Sequence, residues 1–257
     1  MGRQGVKLDQ NIKLEETVSI VIPVYNSALS ITELTSRLVA TLEGRGLSFE
    51  IILIDDCSGD DSRAVIRALA ARDNRIILIT RDHNAGQQAA IKTGMGRSRG
   101  RWVITIDDDL EQQPEDIPLL LAEIKKGFDV VYGIPDRAGY PFYRQLGSHL
   151  VDLFFTLILK KPKNIRVGSF RVLNREIVEL IIKDQTPFVY ITAITLRFTR
   201  NIGNVKVAYQ PRRYGKSNYT VKKLSLLLLR LFYYYGINSG HHATNTETDK
   251  ITNKGRK

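Results

Sequence analysis

Trp102-Val-Ile-Thr-Ile-Asp107-Asp108-Asp109-Leu110-Glu111-Gln112-Gln113-Pro114-Glu115-Asp116 decides how the rest of the chain is read. It opens as a short apolar run rich in β-branched residues, the mark of a buried strand, and sets three carboxylates where that strand ends. Adjacent like charges raise one another's pKa unless a cation sits among them. Alternate residues of an extended chain point the same way. Asp107 and Asp109 are therefore placed to face one hard divalent ion, Mg²⁺ or Mn²⁺, with Asp108 turned aside. The competing reading is a solvated acidic turn that caps the next helix: Pro114 suits a first helical turn, and Glu115 and Asp116 suit its N-terminal dipole. The run alone does not choose between them.

Upstream, apolar runs and helical spacing alternate. Residues 18–23 and 49–54 read as buried strands and 75–80 as a third, while 30–42, 62–71 and 86–98 carry helical spacing, the second with an Asp cap. Strands alternating with helices of about ten residues imply a parallel sheet with helices on both faces. In such sheets ligands bind beyond the carboxyl ends of the strands. Pro23 to Asn26, Asp55 to Ser58 and Asp107 to Asp109 all follow strand ends, which brings three polar segments to one edge. Downstream, 114–126 reads as an amphipathic helix, 129–133 as a strand, 134–141 as a flap and 142–159 as a long helix with Arg144 and Ser148 on one face. Residues 167–171 read as a short strand or loop, followed by helices over 174–182 and 189–199.

The 257 residues, 43% hydrophobic, suffice for one large domain. The single Cys57 excludes an internal disulfide and a multi-cysteine zinc site, which makes a cytosolic setting the expectation. Residues 1–16 are polar, without an apolar signal region, and read as a flexible leader. The formal charge of +11 is concentrated in the C-terminal third: from residue 185 to 246 there are nine Lys and Arg and no Asp or Glu. Such a distribution fits an anionic partner. There is no Walker-type loop, no G-x-G-x-x-G after the first strand, no nucleophile elbow and no cluster of the four His residues. Nucleotide binding helped by acidic groups and a metal remains.

Six fragments in order resemble glycosyltransferase family 2, and within it the polyprenyl-phosphate glycosyltransferases. They are V-S-I-V-I-P-V-Y-N from residue 18, I-L-I-D-D-C-S from 52, N-A-G-Q-Q-A-A-I-K from 84, D-D-D-L-E-Q-Q-P-E from 107, G-S-F-R from 168 and R-R-Y-G-K-S-N-Y from 212. The resemblance implies a GT-A fold over 17–219, a metal-dependent transfer of sugar from a nucleotide diphosphate to a polyprenyl phosphate, and work at the cytosolic membrane face. It implies that Pro23, Tyr25 and Asp55 line the nucleoside pocket. Asp107 and Asp109 match the D-x-D pair, with Asp109 the direct ligand, and Glu111 stands where relatives place a further ligand. Arg137, Arg144 and Ser148 match positions that grip donor and lipid phosphates. Arg212 opens the R-x-x-G-x-S-K-like motif; Asn218 replaces its usual Lys, with Lys216 near enough to supply charge to the diphosphate. Ser27 and Ala28 stand where the family carries acidic residues.

Two other assignments share these motifs: a family 2 transferase acting on a sugar hydroxyl, and a non-catalytic nucleotide-sugar-binding subunit docked on a membrane protein. Charge alone would also suit nucleic acid, but that leaves the carboxylates unexplained, so no nucleic-acid partner is expected. The segment 220–237 is expected to be an interfacial or packing helix. Its apolar run of twelve residues, 224–235, is interrupted by Arg230 and is short of the about twenty needed to cross a bilayer. Residues 238–257 read as a polar tail, and a homo-oligomer is a further possible partner state.

Overall fold

The computed structural model describes residues 17–135, 142–208, 210 and 221–237, with 142–149, 221–223 and 237 as backbone only. The first half alternates as expected: β1 (Val18–Val24), α1 (Ala28–Glu43), β2 (Phe49–Asp55), α2 (Ser62–Ala70), β3 (Ile76–Thr80), α3 (Gln87–Arg97) and β4 (Trp102–Thr105). A 3₁₀ turn (Pro114–Asp116) leads into α4 (Ile117–Ile124), and β5 (Val130–Pro135) and α5 (Phe142–Leu157) follow. Then come β6 (Arg171–Asn174), α6 (Arg175–Lys183), α7 (Ile191–Phe198), β7 (Ile202–Val207), α8 (Val221–Leu231) and a π-helical segment (Phe232–Ile237).

The strands form one sheet in the order β3-β2-β1-β4-β6-β5-β7. The β1–β2, β1–β4, β2–β3 and β5–β7 pairs are parallel, and β6 runs antiparallel between β4 and β5. The continuous apolar runs follow from burial on both faces. Ile20, Ile22, Ile51, Leu53 and Ile104 face one core with Leu34, Leu38 and Leu120, whereas Val21, Ile52, Ile54 and Val103 face the other with Ile91, Met95 and Leu196. Each such side chain contributes about 1.5–3 kcal/mol on burial.

Helix α3 comes close to the sheet because Gly94 has no side chain: a Cβ there would lie 2.5 Å from Ile54 Cδ1 and 2.6 Å from Val21 Cγ1. At α2 the capping carboxylate belongs to Asp60, whose Oδ1 accepts the Ser62 N–H at 3.0 Å, while Asp61 at the N-cap makes no side-chain bond.

The second half departs from the sequence reading in two places. The strand read at 167–171 starts at its last residue, and the helix begins at Arg175 because the Asn174 side chain caps it, accepting the Ile177 N–H at 2.9 Å. β7 has no counterpart in the sequence reading; its Gly, Asn and Lys hide an edge strand.

Candidate active site

β1, β2 and β4 end side by side, and after each of them the chain takes up a left-handed conformation at a residue other than glycine. The residues are Asn26 (φ 54°), Cys57 (φ 63°) and Leu110 (φ 62°). Such conformations cost about 1–3 kcal/mol each and persist where surrounding contacts over-determine them. Those contacts are present. Asn26 Oδ1 accepts the Gly59 N–H at 2.8 Å, the Asn26 N–H reaches Ser58 Oγ at 3.0 Å, and the Ala28 N–H donates to Asp60 Oδ2 at 3.1 Å, which ties the loop after β1 to the loop after β2. Leu110 is held by the Gln113 amide, which donates to its carbonyl at 3.1 Å; Arg37 donates from Nη2 to Gln113 Oε1 and, through Nε and Nη2 together, to both Glu115 oxygens.

The three aspartates meet different partners. Asp107 Oδ1 accepts from Gln87 Nε2 at 2.6 Å, and its Oδ2 accepts from the Ser169 hydroxyl at 2.6 Å and Gln112 Nε2 at 2.9 Å. Gln112 also accepts the Asp107 N–H at 3.0 Å, which fixes the loop around the carboxylate. Asp108 turns to the loop after β1, accepting the Tyr25 N–H at 3.2 Å and the Ser27 hydroxyl. Asp109 Oδ1 accepts the Glu111 N–H at 3.0 Å.

Removal of water, then the neighbouring Asp109 charge, pushes Asp107 up to about 7, against the opposing Ser169 hydroxyl. Asp108 is pushed up to about 6, again first by burial, with the Ser27 hydroxyl and Tyr25 N–H pulling the other way. An acidic turn made only to cap a helix would lie in water and show no such rise.

Pro23 is buried within β1 opposite Ile54, and Tyr25, just past the strand end, is 49% exposed. Asp55 is fully buried, its oxygens accepting the Ser58 N–H at 3.1 Å and Arg63 Nε at 2.8 Å. Its neighbour Asp56 braces the loop before α3, accepting the Gly86 N–H at 2.7 Å and the Ala85 N–H at 3.2 Å.

The Glu111 carbonyl accepts the N–H of Gln210, three residues beyond β7, at 3.3 Å. Arg137, Arg212 and Lys216 lie outside the described residues. Arg144 and Ser148 lie on α5, where the backbone alone is described. Among the described residues no three His, Cys, Asp or Glu side chains are gathered to hold a metal, and the Asp107 oxygens are spent on Gln87, Gln112 and Ser169.

Sequence reasoning missed Gln87, Gln112, Ser169 and Asp56 as supports of the site. Gln87 and Ser169 lie inside two of the six quoted fragments, but only the sheet brings them to Asp107.

Glucosyl-3-phosphoglycerate synthase from Mycobacterium tuberculosis, solved with Mn²⁺, UDP and glucosyl-3-phosphoglycerate, superposes with a TM-score of 0.67 at 16% identity, covering 87% of this chain and 83% of that one. Mannosyl-3-phosphoglycerate synthase from Rubrobacter xylanophilus gives 0.62 at 19% identity, over 84% and 73%. The fold is that of the GT-A glycosyltransferases, as the motifs implied. Residues 19–182 match the sequence profile of Glycosyl transferase family 2, and the chain belongs to that family. It is 34% identical over 221 residues to the undecaprenyl-phosphate 4-deoxy-4-formamido-L-arabinose transferase of Pseudomonas paraeruginosa (strain DSM 24068 / PA7), a match covering 84% of this chain and 64% of that protein. The protein of the same name in Salmonella enteritidis PT4 is 33% identical over 215 residues, 83% of this chain and 66% of its own length. The chain thus spans about two thirds of these relatives.

Proposed function

We propose that this chain transfers a sugar from a nucleotide diphosphate sugar to the terminal phosphate of a polyprenyl lipid, acting from the cytosolic face of a membrane. The observation that carries the reading is the run Asp107 to Asp109 at the carboxyl end of β4, in a chain 34% identical to an undecaprenyl-phosphate sugar transferase.

The carboxylates are the hard oxygen donors a divalent cation takes, although among the described residues three of them are not gathered at one point. Neighbouring carboxylates withdrawn from water repel one another, and Asp107 is raised first by burial and then by its proximity to Asp109. Asp109, Asp107 and Glu111 offer the hard oxygen ligands that Mg²⁺ or Mn²⁺ takes. When bound, such an ion neutralises charge on the donor's diphosphate. Gln87, Gln112 and Ser169 fix the aim of Asp107, in the way outer partners orient metal ligands. Pro23, Tyr25 and Asp55 form the nucleoside side, with Asp55 held rigid by Arg63. Arg137, Lys216 and Arg212 serve the donor phosphates, and Arg144 and Ser148 the lipid phosphate. That nucleophile is a phosphate oxygen already anionic at neutral pH, and no strong general base is required.

A membrane-facing side is supported by two exposed stripes. On α5, Leu150, Leu153 and Leu157 are exposed, and on α8 and the segment after it Leu226, Leu229 and Tyr233 are exposed, both at the spacing of one helical face. The two helices touch. Leu157 and Leu229 are 66% and 68% exposed, which is unfavourable for a surface facing only water. Among the described residues no helix is long and apolar enough to cross a membrane. The stripes therefore suit residence in the interface, where the excess of Lys and Arg meets anionic headgroups.

The test is a panel of nucleotide sugars incubated with undecaprenyl phosphate and Mn²⁺, with lipid-linked sugar as the readout. Transfer that needs both the lipid phosphate and the metal is expected. Transfer to a free sugar hydroxyl with none to the lipid would replace this reading.

A further inference from the structure

Tyr235 is separated from the carboxylates by more than a hundred residues, yet it is tied to them. Its side chain is fully buried, its hydroxyl donates to the Phe188 carbonyl at 2.6 Å and accepts the Tyr190 N–H at 3.2 Å, and the Arg197 guanidinium covers its ring at 4.6 Å. Tyr190 is the residue before α7, and each of the next two residues begins a path to Asp107. The Ile191 N–H donates to Gln88 Oε1 at 3.0 Å, and the adjacent Gln87 donates to Asp107 Oδ1 at 2.6 Å. The Thr192 hydroxyl accepts from Arg171 Nη1 at 3.0 Å, and Arg171 Nε donates to Thr105 Oγ1 at 3.1 Å. Thr105 then donates to the Ser169 carbonyl at 2.5 Å, and the Ser169 hydroxyl donates to Asp107 Oδ2 at 2.6 Å. Both carboxylate oxygens are thereby referenced to the first turn of α7.

We propose that Tyr235 is a positioning residue for Asp107: by fixing the chain at Phe188 and Tyr190 it holds the first turn of α7, and through Gln88–Gln87 and Thr192–Arg171–Ser169 it sets the aim of the carboxylate. The proposal rests on Asp107 belonging to the divalent-cation site argued above. Its physical content is the two bonds of one hydroxyl. Removing that oxygen while keeping the ring takes away the bond to the half-buried Phe188 carbonyl and the bond from the half-buried Tyr190 N–H, and the segment shifts as they are lost. The same C-terminal segment presents the exposed Leu226 and Leu229 to its surroundings. Docking of that helix and aim of the carboxylate are then one property.

The experiment uses the full chain, with Mn²⁺ affinity in the presence of UDP read by electron paramagnetic resonance alongside the melting temperature. Tyr235→Phe is expected to weaken Mn²⁺ binding by about three- to tenfold, and Gln88→Ala to do the same. The double variant is expected to be weaker by less than the product of the two, because both act on one path. Coupling is reciprocal, so in the unmodified chain Mn²⁺ with UDP should slow amide exchange at Tyr190 and Ile191, a readout that needs no variant to fold. A lower melting temperature with unchanged Mn²⁺ affinity, a double variant equal to the product, or exchange indifferent to Mn²⁺ each overturns the proposal. An unmodified chain that binds no Mn²⁺ overturns the site reading with it, whereas normal binding in both chains removes Tyr235 alone.

Discussion

Asp107, Asp108 and Asp109 are consecutive, yet their chemistry is divided by what each one meets. Asp109 is the residue on which the metal reading depends. Asp109→Asn keeps shape and removes charge, and the loss of transfer should exceed the about 10- to 100-fold cost of disturbing a ligand's supporting contacts. Asp108→Asn should be mild, since an amide oxygen can still accept the Tyr25 N–H. Assays at saturating Mn²⁺ check both, and near-normal turnover of the Asp109 variant would sink the assignment. The same residues predict a pH dependence. Without metal, burial holds Asp107 at about 7 and Asp108 at about 6; both face Asp109 on their own loop, and Asp107 also faces Arg171 from β6. An unfolded chain loses these protons at about 3.9. The folded state thus holds more protons between those values, and the stability these groups contribute is greatest below about pH 4 and is lost as pH rises through 6 to 7. A divalent cation binds the ionised form, so the rise in melting temperature on adding Mn²⁺ should be larger at pH 8 than at pH 5.5. Equal rises at both values would contradict the placement of the ion beside Asp107.

At the scale of elements, α3 matters most because its first turn carries Gln87 and Gln88 while its body sets the distance to the sheet. Gly94→Ala drives a methyl into Val21 and Ile54, both in the core, and should destabilise by about 1–3 kcal/mol. Two residues on, Gly96 is exposed with nothing near its missing Cβ, and Gly96→Ala should stabilise by up to about 1 kcal/mol through helix propensity alone. Chemical denaturation of the pair separates packing from propensity; a loss of stability in both would mean that helix geometry rather than the sheet contact is limiting. β6 is the other decisive element. It runs against the direction of β4 and β5, and it buries Arg171 behind the site, where the guanidinium bonds the Thr105 and Thr192 hydroxyls.

Across the whole molecule, the sheet edge with the carboxylates and the exposed leucine stripes belong to one body, because the end of α8 and the segment after it bury Leu231 and Tyr235 in the core that carries α7. Flotation with anionic liposomes tests the outer side. Leu226→Ser together with Leu229→Ser should reduce binding several-fold, since each removes exposed apolar area worth about 25 cal/mol per Å² on burial, while melting stays near that of the unmodified chain. Binding unaffected by these changes, or absent in the unmodified chain, would remove the membrane face.

The alternating first half, the acidic segments that follow β2 and β4, and the family were legible along the chain alone. Period, glycine placement and the order of short motifs are local signals, and local signals survive in one dimension. The places of β6 and β7 came from the fold. A four-residue strand bearing Arg171 and an edge strand bearing Gly, Asn and Lys have no pattern of their own, and become strands because β4 and β5 offer them hydrogen-bonding partners. The supports of Asp107 were hidden for the same reason. Gln112 sits in the same loop as Asp107, but Gln87 and Ser169 come from separate segments, and nothing along the chain relates them until a half-buried carboxylate must find its donors among whatever the sheet has brought near.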